Sequence, residues 1–458
     1  MAFESASLVP VTTKPIETRW RRIQTAIPAP ESISVIEQLR GVEARSMAGM
    51  PQILWDQAEG FLVRDRFGNQ WIDLTSGIVL ANAGHAHPAI CNAVRDAAAG
   101  KLTATYAFPQ ERRGKLLERL VALSPVENAK AILFSAGTEA TECAMMLMRR
   151  HGQAMHKQKI GIVSFADGYH GRTLGASLAM GQADWLGDHS LPFYQIPFPY
   201  GPRWPWGTLA DDPDGVQAFQ KCIAQLETAG VTPDSIAGFI GEPVPGWATW
   251  PIPEGFAHCL RDWCHAHDIL LCYDEIQCGM GRTGKWFGFE HTGTVPDLYT
   301  LGKGLTSTVP VSAVVGRGDV LDLPNPGEMS STHGGNPICA AAALACIDVI
   351  ESEDLVRASA DTGAMILDKF HEFQAECPSR IFSVHGPGLF ISMHFKQADS
   401  KEPDTELADA VAHEAVRRGV LMFVTGRGFI KFTPPLSIDP EAALEAAAVI
   451  CECVRDLS

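Results

Sequence analysis

Residues 236–276 read IAGFIGEPVPGWATWPIPEGFAHCLRDWCHAHDILLCYDEI. A short, almost unbroken apolar run (IAGFIGEPV) leads into a helix-like stretch (PEGFAHCLRDWCHAHD), and a second apolar run (ILLCYDEI) follows. Strands that carry apolar residues on both faces and are joined through a helix belong to a parallel sheet covered on both sides.

The same alternation extends outward in both directions. Upstream, HPAICNAVRDAAAG and QERRGKLLERLVALSP read as helices, AKAILFSA as a strand, GTEATECAMMLMRRHG as a helix, KIGIVSFADGYHG as a strand and DDPDGVQAFQKCIAQLETAG as a helix. Downstream, DLYTLGKGL reads as a further strand. Near the N-terminus, FLVRD and QWIDL flank a turn at Arg66–Asn69 and predict a hairpin. After residue 336 a long helical region is followed by strand-like SVHGPGLFISMHF, a helix at DTELADAVAHEAVRRG, a strand at VLMFVTGRGFIKFT and a last helix from Asp439. The expectation is an α/β protein: a large domain at 76–340, and a smaller α/β domain built from 1–75 and 341–458.

The 458 residues carry 37 Lys and Arg against 53 Asp and Glu, a formal charge of −16, which disfavours nucleic acid and anionic membrane as partners. No stretch of 18 residues is apolar enough to cross a bilayer, and the N-terminal residues lack the apolar core of a secretory signal, so a cytoplasmic protein with twelve reduced cysteines is expected.

In an open parallel sheet, ligands bind where the strands end, and four strand-end turns carry unusual residues. FSAGTEATE (134–142) opens a helix with small residues at Gly137 and Thr138, a backbone cradle suited to phosphate. DGYHGRT (167–173) offers the aromatic ring of Tyr169 for stacking, with His170 beside it, and Arg172 as a fork for a carboxylate. CYDEIQCGMGRTG (272–284) ends an apolar strand on Asp274, with Gln277 close behind. Its GMGRTG matches the dinucleotide fingerprint by letter, but two acids precede the glycines and no helix pattern follows, so that reading is rejected. A buried carboxylate needs a cation, and Asp274 is expected to face one. LYTLGKGLTST (298–308) places Lys303 at the end of an apolar run, where desolvation would lower its pKa and make it a nucleophile.

A phosphate cradle, a stacking ring, a buried acid and a desolvated lysine together describe one cofactor, pyridoxal 5′-phosphate. It presents a phosphate, a flat ring with a nitrogen that must stay protonated, and an aldehyde that condenses with lysine. Cys259, Cys264, His265 and His267 fall on several faces of one helix, which argues against a metal site.

SAGTEATE, GYHGRT, GEPVPG, DEIQCGMGRTG, LGKGL and THGGNP, in this order and spacing, resemble the class III (subgroup II) pyridoxal-phosphate-dependent aminotransferases, and among them the 4-aminobutyrate and ω-amino acid group. The similarity runs from about residue 21 to FTPPL near 436. It implies fold type I, a homodimer or dimer of dimers with shared sites, and amine and 2-oxo acid substrates. By resemblance, Lys303 binds the cofactor covalently and moves the proton, Asp274 pairs with the ring nitrogen, and Gln277 lies near the 3-hydroxyl. Tyr169 stacks on the ring, Gly137 and Thr138 hold the phosphate, and Thr332 reaches that phosphate from the neighbouring subunit. Glu242 of GEPVPG matches the family's switchable glutamate, and Ile78, near His85 and His87, a pocket wall.

One departure concerns substrate. Arg172 stands where relatives bind a distal carboxylate, but Lys431 stands where a second arginine is expected shortly before the final Pro-Leu, with Arg427 nearby to compensate. The glycine-rich run after Glu242 is replaced by WATWPIP, so Trp247 and Trp250 either narrow the pocket or fill a core. Transamination is the expected reaction; a lyase or racemase on the same scaffold is the alternative.

Overall fold

The computed structural model describes residues 8–458 apart from 48, 49, 183, 188–190, 201–204, 207–210, 399, 424 and 425. It divides into two units, residues 88–354 and residues 1–87 with 355–458.

The larger unit is organised by a seven-stranded sheet: β1 (Ala129–Phe134), β2 (Gly161–Phe165), β3 (Phe193–Ile196), β4 (Ile236–Gly241), β5 (Leu270–Asp274), β6 (Leu298–Leu301) and β7 (Ser312–Arg317). Their spatial order is β1-β7-β6-β5-β4-β2-β3. Six strands run parallel, and β7 runs antiparallel between β1 and β6. β3 and β7 were not foreseen. The longer helices of this unit are α1 (Pro88–Ala99), α2 (Glu111–Leu123), α3 (Gly137–Met155), α4 (Val216–Thr228), α5 (Glu254–Ala266) and α6 (Pro337–Ser352). α3 packs against β4, β6 and β7, and α5 against β5. Their shared core includes Leu147, Met148, Ile162, Ile240, Leu298 and Val314. Burying a side chain of this size stabilises the fold by roughly 1.5–3 kcal/mol, so the apolar strands cannot be moved without losing the sheet.

The two units divide at 87/88 and 354/355, where the sequence reading expects 75/76 and 340/341. α6 belongs to the larger unit because it packs on α1 and α2. The long helical region breaks at Asp354, which adopts φ 50°, before a second helix, Leu355–Glu376.

In the smaller unit, the two ends of the chain meet in one sheet, where Val420–Leu421 pairs parallel with Gln70–Asp73. The expected hairpin is present as Leu62–Arg64 against Gln70–Asp73. SVHGPGLFISMHF forms two strands, Ile381–His385 and Ile391–Phe395, because the Gly386–Gly388 turn reverses the chain. VLMFVTGRGFIKFT is likewise divided, into Val420–Leu421 and Phe429–Phe432, with Val424 and Thr425 outside the described residues.

Residues 76–79 form a left-handed turn, with φ of 48°, 60°, 68° and 61° at Ser76, Gly77, Ile78 and Val79. Left-handed backbone costs L-residues about 1–2 kcal/mol each, so the turn requires strong anchors. Buried Asp73 supplies them: Oδ1 accepts from the Thr75 amide and hydroxyl, both at 2.7 Å, and Oδ2 meets His85 Nε2 at 2.7 Å. Ser76 Oγ donates to the Thr433 carbonyl at 2.6 Å. Ile78 is presented at the surface of this unit.

Burial pushes the His385 imidazole down to about 3, and the charges of His394 and His371 add to the effect. The unfolded chain therefore takes up this proton first, so the stability tied to neutral His385 is present above about pH 6.5 and is lost as pH falls toward 3. Thermal midpoints from calorimetry are expected to fall more steeply with acidification in the wild type than in His385→Asn; parallel curves would contradict this.

Candidate active site

Because β1, β2, β4, β5 and β6 are parallel, the turns that follow them lie along one edge of the sheet. β5 ends on Asp274, whose ladder neighbour in β6 is Thr300. Asp274 is buried, and its Oδ1 accepts from Thr300 Oγ1 at 2.8 Å and from the Ile276 amide at 3.1 Å. Its Oδ2 meets His170 Nδ1 at 2.7 Å. Asp274 thus already has a partner from the chain itself in His170. Burial alone would depress the His170 pKa, but the hydrogen bond and charge of Asp274, with Glu242 behind it, reverse the sign and raise it. His170 Nε2 is buried with no hydrogen-bond partner among the described residues. Thr300 was not singled out in the sequence, where it reads as an ordinary strand residue.

Glu242 follows β4 and is also buried. Its Oε2 accepts from the Tyr169 amide at 2.9 Å, and its Oε1 from the Gly246 amide and Gln277 Nε2, both at 3.0 Å. Burial raises its pKa and Asp274 raises it further, against the opposing charge of His170 and two backbone amides. Gln277 therefore sits on Glu242. Trp247 and Trp250 both pack edge-on against Tyr200, with centroids 5.7 and 5.3 Å away, and Trp247 also meets Phe198. WATWPIP thus contributes to an aromatic core.

Lys303 follows β6, in a short 3₁₀ turn, Lys303–Leu305. Its φ is 41°, which for a non-glycine residue costs on the order of 1 kcal/mol or more. Desolvation lowers the pKa of its amine, partly offset by the negative charges of Glu242 and Asp274. The amine lies 5.8 Å from the centroid of the Tyr169 ring, which is 41% exposed, and the exposed Arg172 guanidinium lies 5.5 Å from the same ring.

The turn before α3 supplies the remaining feature. Glu139 folds back to accept from the Ser135 and Ala136 amides at 2.8 and 2.9 Å. The Gly137 and Thr138 amides find no acceptor among the described residues, which leaves two donors at the N-terminus of a 19-residue helix. Thr138 Oγ1 pairs with Thr173 Oγ1 at 2.7 Å. The approach is close: a Cβ at Gly171, where φ is 130°, would lie 2.2 Å from Thr138 Oγ1, and one at Gly137 would lie 2.9 Å from Ile276.

This donor set fits a flat anionic group bearing an aldehyde: amides for a phosphate, a ring face, an acid for a heterocyclic nitrogen and a deprotonatable amine. Thr332 lies exposed on the segment before α6 in the same unit. The other candidates fall in the smaller unit: Ile78 on the left-handed turn, Arg427 in the loop before Phe429–Phe432, and Lys431 within that strand. Lys431 is 5% exposed, its amine 5.3 Å from the Phe423 ring centroid and 5.8 Å from that of Phe390.

The family model for aminotransferase class-III matches residues 43–454. The 4-aminobutyrate aminotransferase of Mycobacterium leprae is 32% identical over 447 residues, spanning 95% of this chain and 98% of that protein. Ornithine aminotransferase 1 of Staphylococcus aureus is 33% identical over 427 residues, spanning 92% of this chain and 100% of that protein. Among solved structures, acetylornithine aminotransferase from Elizabethkingia anophelis superimposes with a TM-score of 0.78 at 27% identity, covering 93% of this chain and 99% of that one. The mixed sheet with its helices is that of fold type I. The chain belongs to the class III aminotransferases and is a pyridoxal-phosphate-dependent enzyme.

Proposed function

We propose that this enzyme moves an amino group from an ω-amino acid or another primary amine, 4-aminobutyrate-like, to a 2-oxo acid such as 2-oxoglutarate or pyruvate. The observation that carries the site assignment is the convergence of Lys303, Asp274 with His170, and Glu242 at the ends of neighbouring parallel strands. The names of the relatives support the substrate class.

When bound, pyridoxal phosphate supplies an aldehyde that carries the amino group and a ring that draws electrons from the substrate carbon. In this reading, the Gly137 and Thr138 amides hold its phosphate, joined by Thr332 from a second subunit. Tyr169 covers the ring face, and Asp274, oriented by Thr300 and His170, keeps the ring nitrogen protonated. Gln277 donates to Glu242 with one amide hydrogen and has a second for the ring hydroxyl. Lys303, whose amine has a lowered pKa, would take the proton from the substrate carbon and return it to the cofactor's former aldehyde carbon, on the far side of the amino nitrogen. Arg172 binds a substrate carboxylate; the family resemblance adds Ile78 as an apolar wall and Arg427 or Lys431 as candidates for a second acidic group. Glu242 stays buried and paired, available to shift between partners as donor and acceptor alternate.

The sharing of Thr332 makes the proposed enzyme at least a homodimer. Twelve thiols with no disulfide support a reducing, cytoplasmic setting. No helix among the described residues is long and apolar enough to cross a membrane.

Purified protein is expected to be yellow, and borohydride followed by peptide mapping should place the reduced cofactor on Lys303. A colourless protein that pyridoxal phosphate cannot reconstitute would overturn the site assignment. Lysine presents a point charge where arginine presents a two-pronged fork, so Lys431→Arg is expected to raise kcat/KM for 2-oxoglutarate by about tenfold. An unchanged preference between 2-oxoglutarate and pyruvate would remove Lys431 from the substrate site.

A further inference from the structure

The Lys303 turn is held in a conformation its own residues disfavour. Lys303 and Ser307 have φ of 41° and 57°, and neither is glycine. Within the turn, the Leu305 amide reaches the Gly302 carbonyl at 2.9 Å, and the Thr308 amide reaches Thr306 Oγ1 at 3.2 Å. These local bonds close the turn without reaching the Gly304 carbonyl. That carbonyl accepts instead from Cys346 Sγ at 3.3 Å, while Ser307 Oγ lies 3.2 Å from the same sulfur.

Cys346 is fully buried on α6, and burial pushes its thiol up to about 12, so it remains an S–H donor across the working range of pH. Its helix is anchored at the other end by Asn336, whose side chain accepts from the Ile338 and Cys339 amides at 3.1 Å each. A rigid helix thus grips the turn at two points, one on either side of Leu305.

We propose that Ser307 and Cys346 form a clamp that holds the Lys303 turn in its left-handed conformation and so sets the position of the lysine amine. Both are positioning residues: neither is assigned contact with cofactor or substrate. The proposal rests on the reading of Lys303 as the cofactor lysine, and it adds that the aim of this lysine is imposed by α6. Its chemistry is that of a weak hydrogen bond reinforced by burial. Serine at 346 would keep a donor and an acceptor; alanine would keep neither.

The test compares Cys346→Ala, Ser307→Ala and Cys346→Ser with the wild type. In the apoprotein, deuterium exchange across residues 303–306 is expected to speed up about threefold or more in the two alanine variants and to stay near wild type in Cys346→Ser. In the cofactor-loaded protein, the pH midpoint of the visible absorbance band should move in the alanine variants and return in Cys346→Ser. Unchanged exchange and an unchanged midpoint in Cys346→Ala would overturn the clamp, and so would a Cys346→Ser variant as altered as Cys346→Ala, since packing alone would then be at work. Failure of the underlying reading is seen separately: borohydride would then fix nothing to Lys303 in the wild type, while exchange in the apoprotein would still decide whether the clamp exists.

Discussion

A carboxylate at the end of a buried strand governs the centre of this protein. Removing an ionised acid from water costs several kcal/mol unless its oxygens are matched by donors, and Asp274 is matched by the Thr300 hydroxyl, the Ile276 amide and the His170 ring. Each donor is supplied by the parallel sheet: Thr300 by the adjacent strand, Ile276 by the turn after Asp274, and His170 by the turn after β2. Glu242 lies in the same low-dielectric region and raises the His170 pKa further. The partly buried amine of Lys303 feels both acids against its own desolvation. In the proposed reading, a cofactor with a protonated ring nitrogen and an aldehyde suits this arrangement, adding a cationic partner for Asp274 and a partner for a lysine whose pKa is lowered.

What could be read in the sequence was what depends on pattern. Apolar runs between helices gave away most of the parallel strands, and Asp274 and Lys303 at the ends of those runs stood out as the wrong chemistry for a core; Tyr169 stood out as a ring at a strand end, and Glu242 only through the family resemblance. The readings that failed did so where pattern is ambiguous. SAVVGR forms β7, yet it follows so closely on the Lys303 turn that no helical spacer marks it as separate. Asp354 breaks a helix without a glycine or proline to announce it. α6 is apolar around most of its surface, so its membership of the larger unit was set by burial against α1 and α2 and not by a visible polar face. Thr300, Ser307 and Cys346 were overlooked for a further reason: each is ordinary for its element, and only contact across the fold gives it a task.

In the proposed reading, substrate choice falls to residues of a different kind. Arg172 is exposed beside the Tyr169 ring, whereas Lys431 is buried against two aromatic rings in the smaller unit. An ammonium against aromatic faces is favoured by the ring quadrupoles, so Lys431 has a local reason to stay where it is. Lysine and arginine at such a place would differ both in the geometry offered to an acid and in the packing of the strand that carries them. The tryptophans after Glu242 make the neighbouring loop part of an aromatic core with Tyr200, and the Gly246 amide of the same loop donates to Glu242.

The most direct test of the central claim, that Asp274 exists to meet a protonated ring nitrogen, is the affinity of the apoprotein for pyridoxal phosphate and for the analogue in which that nitrogen is replaced by carbon. The account predicts that the wild type binds the natural cofactor at least about tenfold more tightly, the equivalent of ~1.4 kcal/mol, and that Asp274→Asn loses this preference. Equal affinity of the wild type for both compounds would contradict it.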